Sequence, residues 1–386
     1  MYTRGDIMEE KPMGLYVHIP FCSKKCDYCD FVSYSMDKKA QQLYLEALFT
    51  EIDLLKGKFV NKTFNSIFIG GGTPSIVYEG FIVSLARKLF SSFKFTEKIE
   101  FTIEVNPSSF NKEKFFEYLQ AGINRISVGV QCLDSKLLRK HGRIQNVDNI
   151  KNAFSILRES EFSNINSDVM LGLPGQTAKS VVQTVKFLIK HHVKHVSTYS
   201  LQIERHTMLY DKLRRGRIKV PREDKVLSIY TKIYKLLSKA GFSRYEVSNF
   251  AKPGFECEHN KKYWNEVDYL GLGVSAHSFL EGYRLYNTKR LDTYIDTLKQ
   301  NKLPVYSKEY ISKAEQRTER IMLSLRTEQG LDIKKFEQDF NENILKSKKM
   351  QLDKLKELGL VEVTDETIKV NPNFFYVANS IIVELL

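Results

Sequence analysis

The sequence contains no run of about twenty apolar residues, the length that a helix needs to cross a bilayer. Its first segment, Met1–Lys11, carries several charges and lacks the apolar stretch of a secretory signal. Only nine prolines occur among 386 residues and 42% of the residues are hydrophobic, which excludes a disordered or collagen-like chain. We therefore expect a soluble, cytoplasmic protein.

Cysteine is also scarce, with five residues in the whole chain: Cys22, Cys26, Cys29, Cys132 and Cys257. An odd number cannot pair completely into disulfides, and the first three lie close together. This clustering favours a metal or redox site in a reducing compartment over a disulfide framework. A chain of this length buries a large core without covalent links. The sequence assigns no role to Cys132 or Cys257.

Acidic residues are fewer than basic ones, with 46 Asp and Glu against 59 Lys and Arg, so the formal net charge is +13. Such a surface attracts nucleic acid, membrane headgroups, carboxylated ligands or acidic electron carriers. Many lysines are scattered through predicted helices such as 346–356, which is typical of a solvated surface. Neither an aromatic RNA-binding motif nor a concentrated basic recognition helix occurs, so we expect no nucleic-acid partner.

Short, β-rich apolar runs alternate with segments of helical periodicity through the first two hundred residues. The predicted strands are 15–19, 66–69, 101–105, 125–130, 167–171 and 195–201. The predicted helices between them are 40–55, 81–93, 112–121, 147–158 and 180–191. This alternation predicts an α/β fold with a parallel sheet. Six strands rather than eight would leave a barrel incomplete, and an incomplete barrel opens sideways to admit a bulky ligand.

The composition changes in the last third of the chain. Another helix is predicted over 223–240, and from about Lys308 charged helices precede two short strands near the end, which is typical of a small winged-helix-like domain. We therefore predict four parts in chain order. They are an N-terminal extension (1–13), a partial barrel (14–220), an extension of the barrel (221–307) and a mostly helical, winged C-terminal domain (308–386).

The cysteine cluster has the spacing C-x3-C-x2-C and directly follows the first predicted strand. A short loop of this spacing can turn three thiolates toward one centre. There they would ligate three irons of a four-iron cluster and leave the fourth iron open to another ligand. Structural zinc usually takes four protein ligands, and no fourth cysteine or histidine has a suitable spacing, because His18 lies on the strand itself.

The segment from Tyr16 to Cys29 resembles the radical S-adenosylmethionine (SAM) family of oxygen-independent coproporphyrinogen oxidases and the related HemW-type heme chaperones. The resemblance extends from Gly14 into the C-terminal domain. It implies a partial (β/α)6 radical SAM barrel with a [4Fe-4S] cluster at its mouth, followed by a smaller, mostly helical, HemN-like domain. It also implies that SAM chelates the open iron, and that electron transfer from the reduced cluster releases a 5'-deoxyadenosyl radical.

The same resemblance implies which residues contact SAM. They are Tyr16, Gly71, Gly72, Thr73, Glu104, Gln131, Arg143 and Asp168. Most of them lie at the carboxyl ends of predicted strands, where βα loops converge on a site. Two alternatives stay open: the glycine run 70–72 also fits a simple tight turn, and Glu104 could instead pair with Arg125.

Two local features distinguish the branches of this family. The oxidases carry a further cysteine two positions after the last ligand, where this chain has Phe31, which argues against an active oxidase. Residues His259–Trp264 match the H-N-x-x-Y-W motif of the heme chaperone branch. His259 offers an axial nitrogen to heme iron, and Tyr263 and Trp264 offer flat surfaces to the macrocycle. The alternative is a helix start or loop whose aromatic rings pack against the barrel.

These features predict a heme chaperone connected with porphyrin metabolism, which binds heme and transfers it to apo-hemoproteins while holding the cluster and SAM. The alternative is an oxygen-independent coproporphyrinogen III dehydrogenase, which performs radical decarboxylation to protoporphyrinogen IX. The expected partners are heme, apo-hemoprotein acceptors and an acidic electron donor of the flavodoxin or ferredoxin type. The basic surface also allows peripheral contact with a membrane.

Overall fold

The structure, a computed structural model, describes residues 11–35 and 37–386; most of the predicted N-terminal extension lies outside the described residues. The first strands are β1 (Met13–Ile19), β2 (Thr63–Gly71), β3 (Lys94–Val105), β4 (Arg125–Gln131), β5 (Ile165–Leu171) and β6 (His195–Ser200). The later strands are β7 (Ser243–Arg244), β8 (Asn249–Ala251), β9 (Tyr269–Leu272), β10 (His277–Leu280), β11 (Tyr283–Asn287), β12 (Val305–Tyr310), β13 (Leu331–Asp332), β14 (Val361–Val363) and β15 (Thr367–Val370).

Helices separate these strands. Those before β7 are α1 (Lys38–Lys56), α2 (Phe81–Ser92), α3 (Lys112–Gln120), α4 (Ser135–Lys140), α5 (Val147–Glu159), α6 (Ala178–Lys190), α7 (Met208–Arg214) and α8 (Glu223–Lys239). Those after β8 are α9 (Glu258–Trp264), α10 (Leu291–Lys299), α11 (Lys313–Ser324), α12 (Ile333–Phe340), α13 (Ile344–Ser347), α14 (Lys349–Glu357) and α15 (Ala378–Leu385). In the part of the chain that is described, no helix has the length and apolarity that a membrane crossing needs.

The centre of the sheet consists of β1 to β6 in sequence order, all parallel to their neighbours. The sheet continues through β9 to β12 beyond β1 and through β8 and β7 beyond β6, and its two edges do not meet. This arrangement confirms the predicted α/β fold with an incomplete barrel. Because the central strands are parallel, their carboxyl ends share one rim.

Apolar side chains of the central strands pack against the helices, whereas the strands also carry buried polar side chains such as Arg125, Asn166 and His195. Strand β1 reads Met-Gly-Leu-Tyr-Val-His-Ile, and only Tyr16 among these residues is partly exposed. Such nearly continuous burial is typical of a parallel strand packed on both faces. Several of the helices begin at a polar cap: Asp37 accepts from the backbone N–H of Lys39 at the start of α1, and Asn111 does the same for Lys114 in α3.

The last part of the described chain encloses a second hydrophobic core. Helices α11 to α15 pack around the small sheet β13-β15-β14, with Phe336 and Ile368 completely buried. The predicted division into parts stays a prediction, and β12 crosses the boundary predicted at 307–308. This strand pairs with β11 as far as Tyr310, so its hydrogen bonds hold it in the large sheet.

Candidate functional site

A cavity of about 500 Å³ opens at the carboxyl ends of the parallel strands. Ten of the residues predicted to bind the cluster or SAM line it. They are Cys22, Cys26, Cys29, Gly71, Gly72, Thr73, Glu104, Gln131, Arg143 and Asp168. Tyr16 is not among the lining residues, because its ring packs on Phe68 with 6.3 Å between ring centroids and its hydroxyl lies 3.1 Å from His18 Nδ1. Tyr16 therefore lies deeper in the barrel than the cavity.

The cysteine loop leaves β1 and folds over the mouth of the barrel. Its start is held by two backbone hydrogen bonds, from Cys22 N–H to the Tyr34 carbonyl (3.0 Å) and from Tyr34 N–H to the Pro20 carbonyl (2.7 Å). All five cysteines are free thiols. Within residues 11–35 and 37–386, no three potential ligand side chains are already arranged around a metal position. The loop therefore supplies three thiols to one cavity wall without a preformed ligand geometry.

Two polar side chains contact the cysteine thiols. The Thr73 hydroxyl lies 3.3 Å from Cys22 Sγ, and Arg143 Nη1 lies 3.8 Å from Cys26 Sγ. Arg143 is fixed in turn, because its Nη2 donates to the Gly129 carbonyl at 2.9 Å. Burial raises the pKa of both Cys22 and Cys29. Metal binding at these thiols would therefore release protons and weaken as the pH falls.

The glycine run after β2 is packed too tightly for a side chain. A Cβ on Gly72 would come within 2.7 Å of the Phe21 carbonyl oxygen. Gly71 has φ +114°, and a Cβ there would meet the His18 ring at 2.7 Å. Glycine is needed here because β2 approaches the strand that leads into the cysteine loop. Gly71 and Gly72 line the cavity, and the N–H of Gly72 donates to the Ile19 carbonyl at 2.8 Å.

Two half-buried residues with carboxyl groups, Glu104 and Asp168, line this cavity. Burial and the negative charge of Asp168 raise the pKa of Glu104 to about 8, although Gly71 N–H donates to Glu104 Oε2 at 3.2 Å. Burial also raises the pKa of Asp168. Buried carboxylates are costly unless they are paired, so the pair fits a ligand with a positive charge and hydroxyl donors.

The alternative partner for Glu104 was Arg125. Arg125 instead lies nearest to Glu100, with 3.9 Å between Nε and Oε2, and no ion pair with Glu104 occurs among the described residues. The sequence could not distinguish these carboxylates because both lie on β3. Glu104 is near the mouth of the barrel, whereas Glu100 is four residues closer to the amino end.

Gln131 ends β4 in a conformation that side chains rarely adopt. Its φ is +65°, and its buried Oε1 atom has no hydrogen-bond partner in the structure. Strained residues and unpaired buried acceptors are concentrated at binding sites, where a ligand supplies the missing donor. Together, the unpaired amide oxygen, the glycine run and the two carboxyl groups fit a small ligand with amino and hydroxyl groups.

The H-N-x-x-Y-W segment lies on the short helix α9, at the opposite end of the barrel. His259 is completely buried; its Nδ1 lies 3.0 Å from Ser66 Oγ and its Nε2 lies 2.9 Å from Tyr263 Oη. The ring packs against Gly14, where a Cβ would be 3.1 Å from Nδ1. Gly14 lies at the amino end of β1, five residues or about 16 Å from the end of that strand.

Glu100 anchors this helix. It accepts from the backbone N–H groups of Glu258 (2.9 Å) and His259 (3.1 Å), and Cys257 Sγ lies 3.3 Å from its Oε1. The arrangement matches the packing alternative left open by the sequence. Tyr263 and Trp264 are half-buried beside His259. Heme binding by these three residues stays a prediction. Such binding requires α9 to move from this position, because both ring nitrogens of His259 are hydrogen-bonded here.

A buried chain of hydrogen bonds, which the sequence did not predict, connects Asp168 to α9. Asn166 Nδ2 donates to Asp168 Oδ1 (2.9 Å), and Asn166 Oδ1 lies 2.6 Å from His195 Nδ1. His195 Nε2 lies 2.8 Å from Tyr245 Oη, which accepts from Cys257 N–H at 3.3 Å. Asn166 and His195 stand out in the sequence only as polar residues within apolar strands. The chain of bonds fixes the orientation of Asp168.

Two protein-family models match parts of this chain. Residues 16–188 match the Radical SAM superfamily model, and residues 311–373 match the HemN C-terminal domain model. The fold is similar to that of "Coproporphyrinogen III oxidase (HemN) from Escherichia coli", described there as a radical SAM enzyme. The TM-score is 0.84 at 25% identity, over 97% of this chain and 90% of that one. The fold and cavity are thus those of a radical SAM protein.

Sequence identity to three related proteins identifies the family within this class. The protein named heme chaperone HemW of Lactococcus lactis is 33% identical over 98% of both chains. The proteins of the same name in Bacillus subtilis and Escherichia coli are 33% identical over 92% of this chain and 93% of theirs, and 34% identical over 72% and 74%, respectively. The chain belongs to the HemW family of radical SAM proteins.

Proposed function

We propose that this protein binds heme and delivers it to apo-hemoproteins, and that it carries a [4Fe-4S] cluster on Cys22, Cys26 and Cys29 with SAM beside it. The observation that carries the proposal is the cavity at the barrel mouth, lined by these thiols and by the carboxyl groups of Glu104 and Asp168. Its occurrence in a chain that is 33% identical over 98% of its length to a protein named heme chaperone supports the heme part.

The lining residues suit the parts of SAM in distinct ways. The backbone at Gly71 and Gly72 and the Thr73 hydroxyl would bind the amino group of the methionine part. Glu104, Gln131 and Asp168 would accept hydrogen bonds from amino and hydroxyl groups, and Arg143 would hold a carboxylate by its planar guanidinium. When bound, the cluster and SAM supply a one-electron reductant and a cleavable sulfur–carbon bond. Tyr16, which lies deeper in the barrel, would contact SAM from the barrel interior.

The pH dependence of SAM binding follows from Glu104. Its pKa is raised to about 8, so the group is largely neutral at neutral pH and becomes a carboxylate above it. We expect the affinity for SAM, which carries a positive charge, to rise between about pH 7 and pH 9. The variant E104Q should bind SAM more weakly at high pH and lose this dependence. Isothermal titration of the anaerobic, cluster-loaded protein measures both, and an unchanged profile in E104Q would exclude Glu104 as the titrating group.

A second candidate function is coproporphyrinogen III dehydrogenase, since the fold is similar to that of HemN over 97% of the chain. Phe31 argues against it, because the oxidases resembled by this sequence carry a cysteine at that position. Heme and coproporphyrinogen are both large, carboxylated tetrapyrroles. The two functions therefore differ in chemistry rather than in the shape of the ligand.

One anaerobic preparation tests both functions. After reconstitution with iron and sulfide, we expect the broad absorption and the EPR signal of a [4Fe-4S] cluster that change when SAM is added, and a Soret band on titration with hemin. Reduced protein given SAM and coproporphyrinogen III should form no protoporphyrinogen. Zinc in place of iron would overturn the cluster proposal, and a protein that binds no hemin but forms protoporphyrinogen would establish the second function.

The partners and the location also belong to this proposal. The segment 205–222 is rich in arginine and lysine. It lies beside the cysteine loop in space, since Leu209 N–H donates to the Asp27 carbonyl at 2.8 Å. This charge supports docking of an acidic electron donor, such as a flavodoxin or ferredoxin, near the cluster. We further propose a cytoplasmic protein that contacts membranes peripherally when it delivers heme. The absence of a nucleic-acid partner stays a prediction.

A further inference from the structure

We infer that Lys212 is a positioning residue of the proposed cluster site, and that it acts through Asp27 to hold the cysteine loop over the cavity. This inference rests on the proposed function, because the position of the loop matters most if its thiols hold the cluster. Lys212 lies on α7, the short helix that follows β6.

Asp27 connects the cysteine loop to a neighbouring turn of the barrel. It follows Cys26 directly and precedes Cys29 by two positions. Its backbone N–H donates to the His141 carbonyl at 3.1 Å. Its side chain packs on Gly142, where φ is +78° and a Cβ would come within 3.1 Å of Asp27 Oδ1. The position of both thiols therefore depends on how Asp27 is held.

The carboxylate of Asp27 is buried and meets the ammonium group of Lys212. The side chain of Asp27 is 8% exposed, and Lys212 Nζ lies 2.6 Å from its Oδ2. The side chain of Lys212 is 33% exposed, so water screens this pair only in part. Removing the cation from such a pair leaves an uncompensated buried charge, which is costly. Without Lys212, the carboxylate would therefore be more stable turned toward water, and the loop would move with it.

Helix α7 is anchored well enough to hold the loop. Leu209 is completely buried, and its N–H donates to the Asp27 carbonyl at 2.8 Å. Thr207 caps the helix, because its hydroxyl lies 3.3 Å from the Tyr210 N–H nitrogen and donates to the Glu204 carbonyl at 2.7 Å. Asp27 is thus held from two sides, by the turn at 141–142 and by α7.

A second contact between the same two segments is weaker. His206 Nε2 contacts Asp30, on the other side of Cys29. These two side chains are 69% and 49% exposed. Exposed ion pairs contribute little to stability, because water and salt screen them. The buried pair of Asp27 with Lys212 is therefore the contact that fixes this part of the loop, and His206 offers a control for it.

The loop has to be held because three thiolates must reach one centre. Its first part is fixed by the backbone hydrogen bonds between Cys22 and Tyr34 and between Tyr34 and Pro20. Its second part, which carries Cys26 and Cys29, is fixed by Asp27. A loop that is already in position loses less conformational freedom when it binds. Loosening the second part should therefore weaken the hold on the cluster.

Matched variants of the full chain test this role. After anaerobic reconstitution, we expect K212M to lose iron to a chelator at least about tenfold faster than the original chain. The variant K212R retains a cation and should restore the slow rate. Two controls should lose iron at the original rate: H206A removes the exposed contact, and K225M removes an exposed lysine from the first turn of α8.

The partner residue gives a second arm of the experiment. D27N should lose iron as fast as K212M does, because it removes the same ion pair from the other side. The double variant D27N/K212M should lose iron no faster than D27N alone, since residues that act as one pair are not additive. Additive effects of the two substitutions would show that Lys212 acts independently of Asp27 and would overturn the inference.

Hydrogen exchange of the metal-free protein, followed by mass spectrometry, separates positioning of the loop from a loss of overall stability. In K212M, exchange should become faster in residues 22–30 and 206–214 and stay unchanged in the central strands. Faster exchange throughout the chain would overturn the inference, because Lys212 would then stabilise the fold in general. If the original chain takes up a cluster and K212M releases iron at the same rate, only this inference fails. If the original chain takes up no cluster, the proposed function fails, and the exchange data still show whether Lys212 holds the loop.

Discussion

Replacing any one of Cys22, Cys26 and Cys29 with alanine should abolish the iron–sulfur absorption of the reconstituted protein. Three thiolates hold the cube in the proposed site, and the described structure offers no side chain arranged to take the place of one of them. Each of these thiols lies in an exposed loop and is only partly buried, so its loss should leave the fold intact. Iron analysis, visible absorption and EPR after identical anaerobic reconstitution provide the measurement.

Cys132→Ala is the matched control for this experiment. Cys132 follows Gln131 in the chain, close to the cavity, but its side chain is fully buried. It should keep the full complement of iron. A cluster of normal content in a variant of one of the three loop cysteines would remove that cysteine from the ligand set, and iron loss in the Cys132 variant would add an unforeseen ligand.

The sequence predicted the centre of the fold well, because local pattern and burial coincide there. The first strand was predicted over 15–19 and extends from Met13 to Ile19, since every position between is compatible with burial on both faces. Strand β3 was predicted over 101–105 but begins at Lys94. Its first half is polar and partly exposed, and it pairs with the first residues of β2, which is a tertiary contact. The short helices α4, α7 and α9 were missed as defined helices, because they are too short for periodicity to reveal them.

The sequence also predicted one part of the candidate site and not another. Ten of the eleven predicted residues for the cluster and SAM reach one cavity, since the carboxyl ends of parallel strands necessarily meet. The position of α9 could not be predicted, because it depends on the long-range contacts of His259 with Glu100 and Ser66.

His259→Ala should destabilise the protein strongly, irrespective of any ligand. The substitution leaves a cavity within the barrel and removes partners from the Ser66 and Tyr263 hydroxyls, which we expect to cost about 3 kcal/mol in the free energy of unfolding. Burial also lowers the pKa of His259 to about 3, so the ring is neutral and the loss should not depend on pH near neutrality. Urea unfolding of the cluster-free protein, followed by circular dichroism, measures the change.

His277→Ala is the control for this stability measurement. His277 is the exposed first residue of β10, so its removal leaves no internal cavity. It should unfold within about 0.5 kcal/mol of the original chain. A second variant, His259→Gln, retains one hydrogen-bonding group and should lie between the two. If His259→Ala were as stable as the control, the packing of α9 described above would not hold, and the motif would be free to bind heme. If it is much less stable, weakened heme binding in that variant is explained by unfolding.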